Sequence, residues 1–451
     1  MNEITMGFAQ VDITPTASLE LAGFYRPDDH SRGILDPLAL QVLLWRQGEE
    51  AGCLIAIDSL GWTVKLAEYL REAIAVLLKT QRDHIMLCFS HTHSAPNAAK
   101  EPAYFKQVCA QAEAAVRQAS MCLRPVKAVW GSAENPIGEN RCSDPDAMDR
   151  RLGLLKLTDL EDHPVLILLR VSTHANILFS DNYLISADYF GRTRQRLSRQ
   201  AGCPVMMIQG ASGDIRPRYC QQNTRWLEVH SYEAALHPLP SSEQEGYRVE
   251  SLQALEKTAE LLTEAAWAGL KDLKPRSLTS VQMTSVFCSV QASVPDWNQA
   301  ETIVKEAWAE AGIDGRAWLE EVRRLHQEGV QAQQAVIELQ LLKINDGGLC
   351  GVANEIMSNI ALQVQARTTS LLFFNGYTNG CSSYLPDAKE YDAGGYEVLW
   401  SNLIYFQYHG RVMPLDRDTA VKLADAAAAL WCTRDEEEKN AKKLENKRTD
   451  W

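Results

Sequence analysis

Short apolar runs that alternate with amphipathic helical stretches constrain this chain more than any other feature. The runs cover residues 52–58, 84–90, 165–173 and 204–209. Bounded runs of this length read as buried strands. Between them, residues 64–78 and 105–123 carry apolar side chains at helical spacing. Strands of this length alternating with helices specify an α/β fold over roughly the first 235 residues.

The pattern changes at residues 245–335, which are mainly helical in two blocks, 249–270 and 297–335. A strand-like stretch at 277–294 interrupts them. Strand character returns at 336–344, and Asn345-Asp346-Gly347-Gly348 then leads into a second run at 349–353. Such a turn between apolar runs predicts a hairpin. The helical block reads as an insertion able to wall a site. Its Trp297, Trp308 and Trp318 can line a pocket or belong to the core. The Glu-, Lys- and Asn-rich stretch at 434–451 reads as a solvated tail.

Composition removes several classes of function. A formal net charge of -13 argues against a nucleic-acid partner and against an anionic membrane surface. No window approaches the ~18 apolar residues of a membrane span, so no stable membrane insertion is expected. The eleven cysteines are odd in number and scattered, with several inside apolar runs. That is how reduced thiols look. Without a secretory leader pattern at the N-terminus, these features predict a cytoplasmic protein.

Three of the runs end in polar clusters: Ser90-His91-Thr92-His93-Ser94, Thr173-His174-Ala175-Asn176 and Gln209-Gly210-Ala211-Ser212-Gly213-Asp214. Ligands of open α/β sheets bind at the carboxyl ends of strands. On an extended backbone His91 and His93 project to one side and either or both can meet a metal ion; equally, the pair can shape a turn before Pro96. His174 is a third histidine at a strand end, a site residue or a structural one. Glu355 follows the run 349–353 and opens a helix predicted at 356–365, where a carboxylate favours the N-terminus by charge alone. Asp12, Asp58, Asp188 and Asp214 also lie near strand ends. They serve loop stabilisation or, if clustered, a two-metal phosphate-ester site.

Taken in order, these segments resemble the neutral (neutral/alkaline, non-lysosomal) ceramidase family. Gly7-Phe8-Ala9-Gln10-Val11-Asp12-Ile13-Thr14-Pro15 is similar to its opening strand. Ser90-His91-Thr92-His93-Ser94-Ala95-Pro96 resembles its THTHSGP motif. Thr173-His174 with the downstream Ser186-Ala187-Asp188, the loop from Gln209 to Pro217, Val352 to Ile356 and Asn379 to Tyr384 match further family segments. The resemblance implies mixed β-sheets sandwiched by helices, a single ceramidase-like domain over residues 1–433, and a zinc site. Carried over by position, the zinc ligands are His91, His174, Glu355 and Tyr384. His93 becomes a partner behind the ligands or an acid/base group, and Arg141 a holder of a substrate carbonyl or carboxylate. The implied chemistry is hydrolysis of an amide (N-acyl) or ester bond by zinc-bound hydroxide, on a small-molecule acyl-bearing substrate.

Two positions depart from the family pattern. Where the family loop has a serine before its proline, this chain has Arg216, which cannot act as a hydroxyl nucleophile but can bind an anionic or polar group. The first tyrosine of the family's tyrosine loop is here Cys381. The chain also ends before the position of the family's C-terminal immunoglobulin-like domain. These differences point away from ceramide and toward a small polar substrate. A carbohydrate esterase or deacetylase on the same zinc site, and a non-catalytic metal- or ligand-binding relative, remain alternatives.

Overall fold

A computed structural model describes residues 3–142, 144–368 and 371–433; the expected tail at 434–451 lies outside them. Three mixed sheets organise the fold. From edge to edge, the first runs Ile85–Phe89, Glu50–Ile57, Ala39–Gln47, Ile4–Asp12 and Arg124–Pro125. The second runs Val205–Gln209, Pro164–Val171, Arg151–Thr158, Lys127–Glu134 and Arg276–Ser277. The third runs Val281–Ser293, Ala332–Ile344, Gly347–Gly351 and Leu371–Asn375.

The inner faces of the sheets meet. Met6, Leu43 and Trp45 of the first, Trp130, Leu155 and Leu168 of the second, and Met283, Leu342 and Phe373 of the third form one buried cluster. Side chains alternate across a strand, so Leu40, Val42 and Leu44 face outward instead, under the helices Val64–Leu78 and Pro102–Met121. Helices Asp188–Ala201 and Ser241–Leu270 cover the second sheet in the same way. Trp297–Ala311, Arg316–Gln327 and Ser358–Arg367 cover the third. Burial on both faces explains why the strands read as nearly unbroken apolar runs. Each large side chain so buried contributes roughly 1.5–3 kcal/mol.

Each sheet contains one parallel pair joined by a crossover helix, as parallel pairing requires. These are Glu50–Ile57 with Ile85–Phe89, Pro164–Val171 with Val205–Gln209, and Gly347–Gly351 with Leu371–Asn375. Backbone hydrogen bonds lace the loops at their carboxyl ends together. Phe89 N donates to Tyr377 O (3.0 Å), Asn379 N to Leu87 O (2.8 Å), Gly376 N to Gly210 O (3.2 Å) and His93 N to Ala175 O (3.2 Å).

Elsewhere the chain departs from its sequence pattern in detail. The block at 297–335 is two helices, and its last residues already belong to the strand Ala332–Ile344, which pairs along its whole length with Val281–Ser293. The hairpin forms as expected: Ile344 pairs with Gly347 across Asn345, at φ 51°. Trp318 is fully buried and donates to Val412 O (2.7 Å), whereas Trp308 is exposed. All eleven cysteines are unpaired. Among the described residues no helix is long and apolar enough to cross a membrane.

Directly behind the laced loops, a buried cation ties the second sheet to the third. Arg170 donates to Asp149 Oδ2 (2.9 Å), Asn375 Oδ1 (2.9 Å) and Phe374 O (2.7 Å). Neither partner of the ion pair reaches solvent. Removing one member of such a pair leaves the other charged and unpaired, which costs about 3–5 kcal/mol. Asp149→Ala should lower unfolding stability by that amount in a urea titration; a loss below ~1 kcal/mol would remove Arg170 from its place as the tie.

Candidate metal centre

His91 follows the strand Ile85–Phe89 but not as an extended residue. Its N–H donates to Ser59 O (2.9 Å), and its φ of 61° places it in the left-handed region, a conformation costing on the order of 1 kcal/mol for a non-glycine residue. The extended geometry expected for His91 and His93 is therefore absent. A turn brings the two rings together instead, with centroids 4.9 Å apart. His91 Nδ1 lies 2.6 Å from Leu60 O. A carbonyl only accepts, so Nδ1 carries the hydrogen and, in the neutral ring, Nε2 is a bare lone pair.

His174 repeats this arrangement. Its backbone N–H donates to Ile215 O (2.8 Å), and its Nδ1 lies 2.6 Å from Ser212 O. Its ring centroid is 4.7 Å from that of His91. Burial lowers its pKa to about 4 in spite of the neighbouring Glu355, so the imidazole is neutral at neutral pH.

Glu355 does not open a helix. It lies in the short strand Glu355–Ile356, paired in parallel with Tyr384–Leu385, and the helix begins at Ser358. The carboxylate serving that helix terminus is Asp214, whose Oδ1 accepts from Ser358 N at 2.8 Å. Glu355 is thereby free for the site. Its Oε2 stands 3.2 Å from His91 Nε2 and 3.5 Å from His174 Nε2. Burial raises the carboxyl, but the two histidines outweigh it and hold the group well below the usual range. On the other side, Oε1 faces the Tyr405 hydroxyl at 3.2 Å and Cys381 Sγ at 3.8 Å.

Three unprotonated acceptors thus face one another with no hydrogen to share. His91 Nε2, His174 Nε2 and Glu355 Oε2 are all buried, and none has a hydrogen-bond partner among the described residues. Lone pairs at these distances repel unless a cation lies among them. Two imidazoles, each fixed by a carbonyl behind it, and a carboxylate form a donor set that fits a divalent metal ion. His93 completes a group of three histidines whose ring nitrogens lie within 4.8 Å of one another, and Cys381 makes a second such group with His91 and Glu355. Burial, then His91 and His174, hold His93 well below its ordinary pKa. Its ring lies against Phe24 and against Gly23, where a Cβ would come within 2.6 Å of Nδ1.

The remaining expected residues divide. Tyr384 joins the site: it pairs with Glu355 along the backbone, and its hydroxyl accepts from Arg141 Nη2 at 3.2 Å. Arg141 also donates to Gly213 O (2.9 Å), and its Nε lies 3.1 Å from Glu397 Oε1. Arg216 is engaged elsewhere, donating to Glu139 (2.7 Å) and Glu228 (2.9 Å). The four aspartates are engaged with their own neighbourhoods. Asp58 pairs with Arg194, Asp12 accepts from Thr14 N, Asp188 from Leu178 N and Asp214 from Ser358 N. Among the described residues, the groups able to hold a metal all contain His91.

Sequence reasoning missed Tyr377 and Tyr405, and read Cys381 only as a lost tyrosine. Tyr377 packs against His91, the rings tilted with centroids 4.3 Å apart, and its hydroxyl accepts from Ser212 Oγ at 3.2 Å. Its signal was present: Asn375-Gly376-Tyr377 follows an apolar run just as the histidine segments do. Tyr405 lies on the helix Asn402–His409 and carried no such mark.

No protein-family model matches the sequence, and no curated protein does. Solved structures do match. The neutral ceramidase from Pseudomonas aeruginosa superposes with a TM-score of 0.69 at 15% identity, covering 96% of this chain and 75% of that one. A structure described as ceramidase complexed with C2 gives 0.70, again at 15% identity, over 97% and 76%. The chain has the neutral-ceramidase fold, in a sequence far diverged from the ceramidases it superposes on.

Proposed function

We propose that this protein is a zinc-dependent hydrolase that cleaves an amide or ester bond of a small acyl-bearing substrate. The observation that carries the reading is the meeting of His91 Nε2, His174 Nε2 and Glu355 Oε2, all buried and without a hydrogen-bond partner among the described residues. It lies in a fold whose solved examples include a neutral ceramidase. His91, His174, Glu355 and Tyr384 would hold the ion. When bound, zinc supplies a Lewis acid that polarises a carbonyl and lowers the pKa of water to about 7.

The chain's own residues supply the remaining functions. Leu60 O and Ser212 O keep both imidazoles in the donor tautomer. Tyr405 and Cys381 hold the far oxygen of Glu355, leaving the near one free. Burial and then Glu355 raise the Tyr384 phenol well above its ordinary pKa, with Arg141 pulling the other way. His93 is neutral, with both ring nitrogens unpartnered among the described residues, and offers an acceptor for a proton. Arg141 is placed to steady a developing oxyanion beside Tyr384. The guanidinium of Arg216 is closed off by two carboxylates, so water rather than a side chain at that position is the nucleophile.

Purified protein reconstituted with zinc should carry about one ion per chain by mass spectrometry, and His174→Ala prepared beside it should carry almost none. Zinc-free wild type after reconstitution would end the hydrolase reading. On a panel of N-acyl amino acids, N-acetyl sugars and acyl esters, Glu355→Gln should reduce kcat/KM by roughly a thousandfold, the several kcal/mol a Lewis acid contributes. The preferred member of the panel separates an amidase from an esterase or deacetylase. A metal-loaded wild type inert toward all three classes would identify a binding protein.

A further inference from the structure

Linked through Ser383 to the candidate metal centre stands a half-buried cation with no counter-charge among the described residues. The helix Asn402–His409 supplies Tyr405, which touches Glu355 Oε1. His409 lies one turn further along the same face. The chain then bends at Gly410, φ 79°, and the backbone N–H of Arg411 donates to His409 Nδ1 at 3.1 Å. That bond requires a bare Nδ1, so a neutral His409 carries its hydrogen on Nε2. Burial pushes the His409 pKa down to about 3, with Arg411 adding to the effect. Arg411 in turn donates from Nη2 to Ser383 Oγ at 3.3 Å. Ser383 adjoins Tyr384, and its carbonyl accepts from Glu355 N at 2.9 Å. The Arg411–His409 pair is therefore tied to the same backbone that carries two of the proposed zinc ligands.

Most other buried arginines among the described residues are paired with a carboxylate. Arg141 has Glu397, Arg170 has Asp149, Arg194 has Asp58 and Arg216 has Glu139 and Glu228. Arg26 is the other exception: burial lowers its pKa to about 10 against the weaker pull of Tyr183, Asp29 and Asp181, but it donates to Asn182 O (3.0 Å) and His93 O (3.2 Å). Among the described residues, no carboxylate pairs with Arg411, and burial alone pulls its pKa down to about 10. Its Nε, like Nε2 of His409, is buried without a hydrogen-bond partner. A desolvated cation and two unpaired donors in one place are costly. An anion that reached both side chains would satisfy them. Tyr405, His409 and Arg411 are each half-buried, so the place is open to a ligand.

We propose that Arg411 and His409 receive a carboxylate of the substrate, making the preferred ligand an N-acyl amino acid or a similar acyl compound with an acidic end. A guanidinium edge and one imidazole N–H present a single positive charge with directed donors, which suits a planar carboxylate. Ser383 and Tyr405 link the pair to Glu355, and the proposed ligand runs from that pair to the candidate metal. What the rest of that ligand is rests on the acyl-hydrolase reading above.

The test is calorimetric and uses metal-stripped protein, so that no ion binds the carboxylate. N-octanoylglycine is titrated against N-octanoylglycinamide, which differs only in lacking the charge. Wild type should bind the carboxylate at least about tenfold more tightly, the worth of a hydrogen bond to a charged group. The ratio should fall to near one in Arg411→Gln and recover in part in Arg411→Lys. Equal affinities in wild type, an unchanged ratio in Arg411→Gln, or no measurable binding of N-octanoylglycine would overturn the proposal. Turnover separates the two readings. If zinc-loaded protein prefers the carboxylate ligand but cleaves neither compound nor any member of the panel above, the hydrolase reading fails and the anion site stands. If it cleaves both with equal kcat/KM, the anion site fails and the hydrolase reading stands.

Discussion

Two short hydrogen bonds, from His91 Nδ1 to Leu60 O and from His174 Nδ1 to Ser212 O, determine the character of this protein's centre. Each fixes a tautomer, and together they turn two bare nitrogens toward the ionised oxygen of Glu355. Were the hydrogens on Nε2, the same three side chains would form an ordinary structural hydrogen-bond network. With them on Nδ1, the arrangement is self-repelling and calls for a cation. The carbonyls behind the rings come from loops that follow Glu50–Ile57 and Val205–Gln209. The chemistry of the site is thus set by the backbone paths of two sheets.

The rest of the architecture serves to hold those paths. Three parallel pairs, one per sheet, end at the same place, and their loops exchange backbone hydrogen bonds. A common apolar core fixes the sheets against each other behind the site. Where the strands of the second and third sheets approach, Arg170 and Asp149 add a directional tie that apolar packing lacks. Most buried arginines are matched by carboxylates in the same way, whereas Arg411 has none among the described residues. Arg411 hydrogen-bonds Ser383, the neighbour of Tyr384 in the chain, where an incoming molecule can complete the pairing.

Much of this was legible in the sequence because it is local. The α/β alternation, the hairpin at Asn345-Asp346 and the histidines at strand ends all follow from neighbouring residues. What was not legible depends on distant partners. Glu355 looked like a helix-terminal charge because nothing near it reveals that Asp214, far upstream, already fills that place. Arg216 looked like a free substrate-binding cation because its carboxylates come from Glu139 and Glu228. His91 looked extended, yet closing a turn between two sheets demands a left-handed residue there. Tyr405 could not be singled out, since an amphipathic helix does not say which polar tip meets a carboxylate across the fold.

The measurement that bears most directly on the centre is anomalous diffraction at the zinc edge from crystals grown with zinc. The account requires one strong peak among His91 Nε2, His174 Nε2 and Glu355 Oε2, with Tyr384 turned toward it. Diffraction from zinc-saturated crystals that places the ion elsewhere, or leaves those three atoms without one, would contradict it.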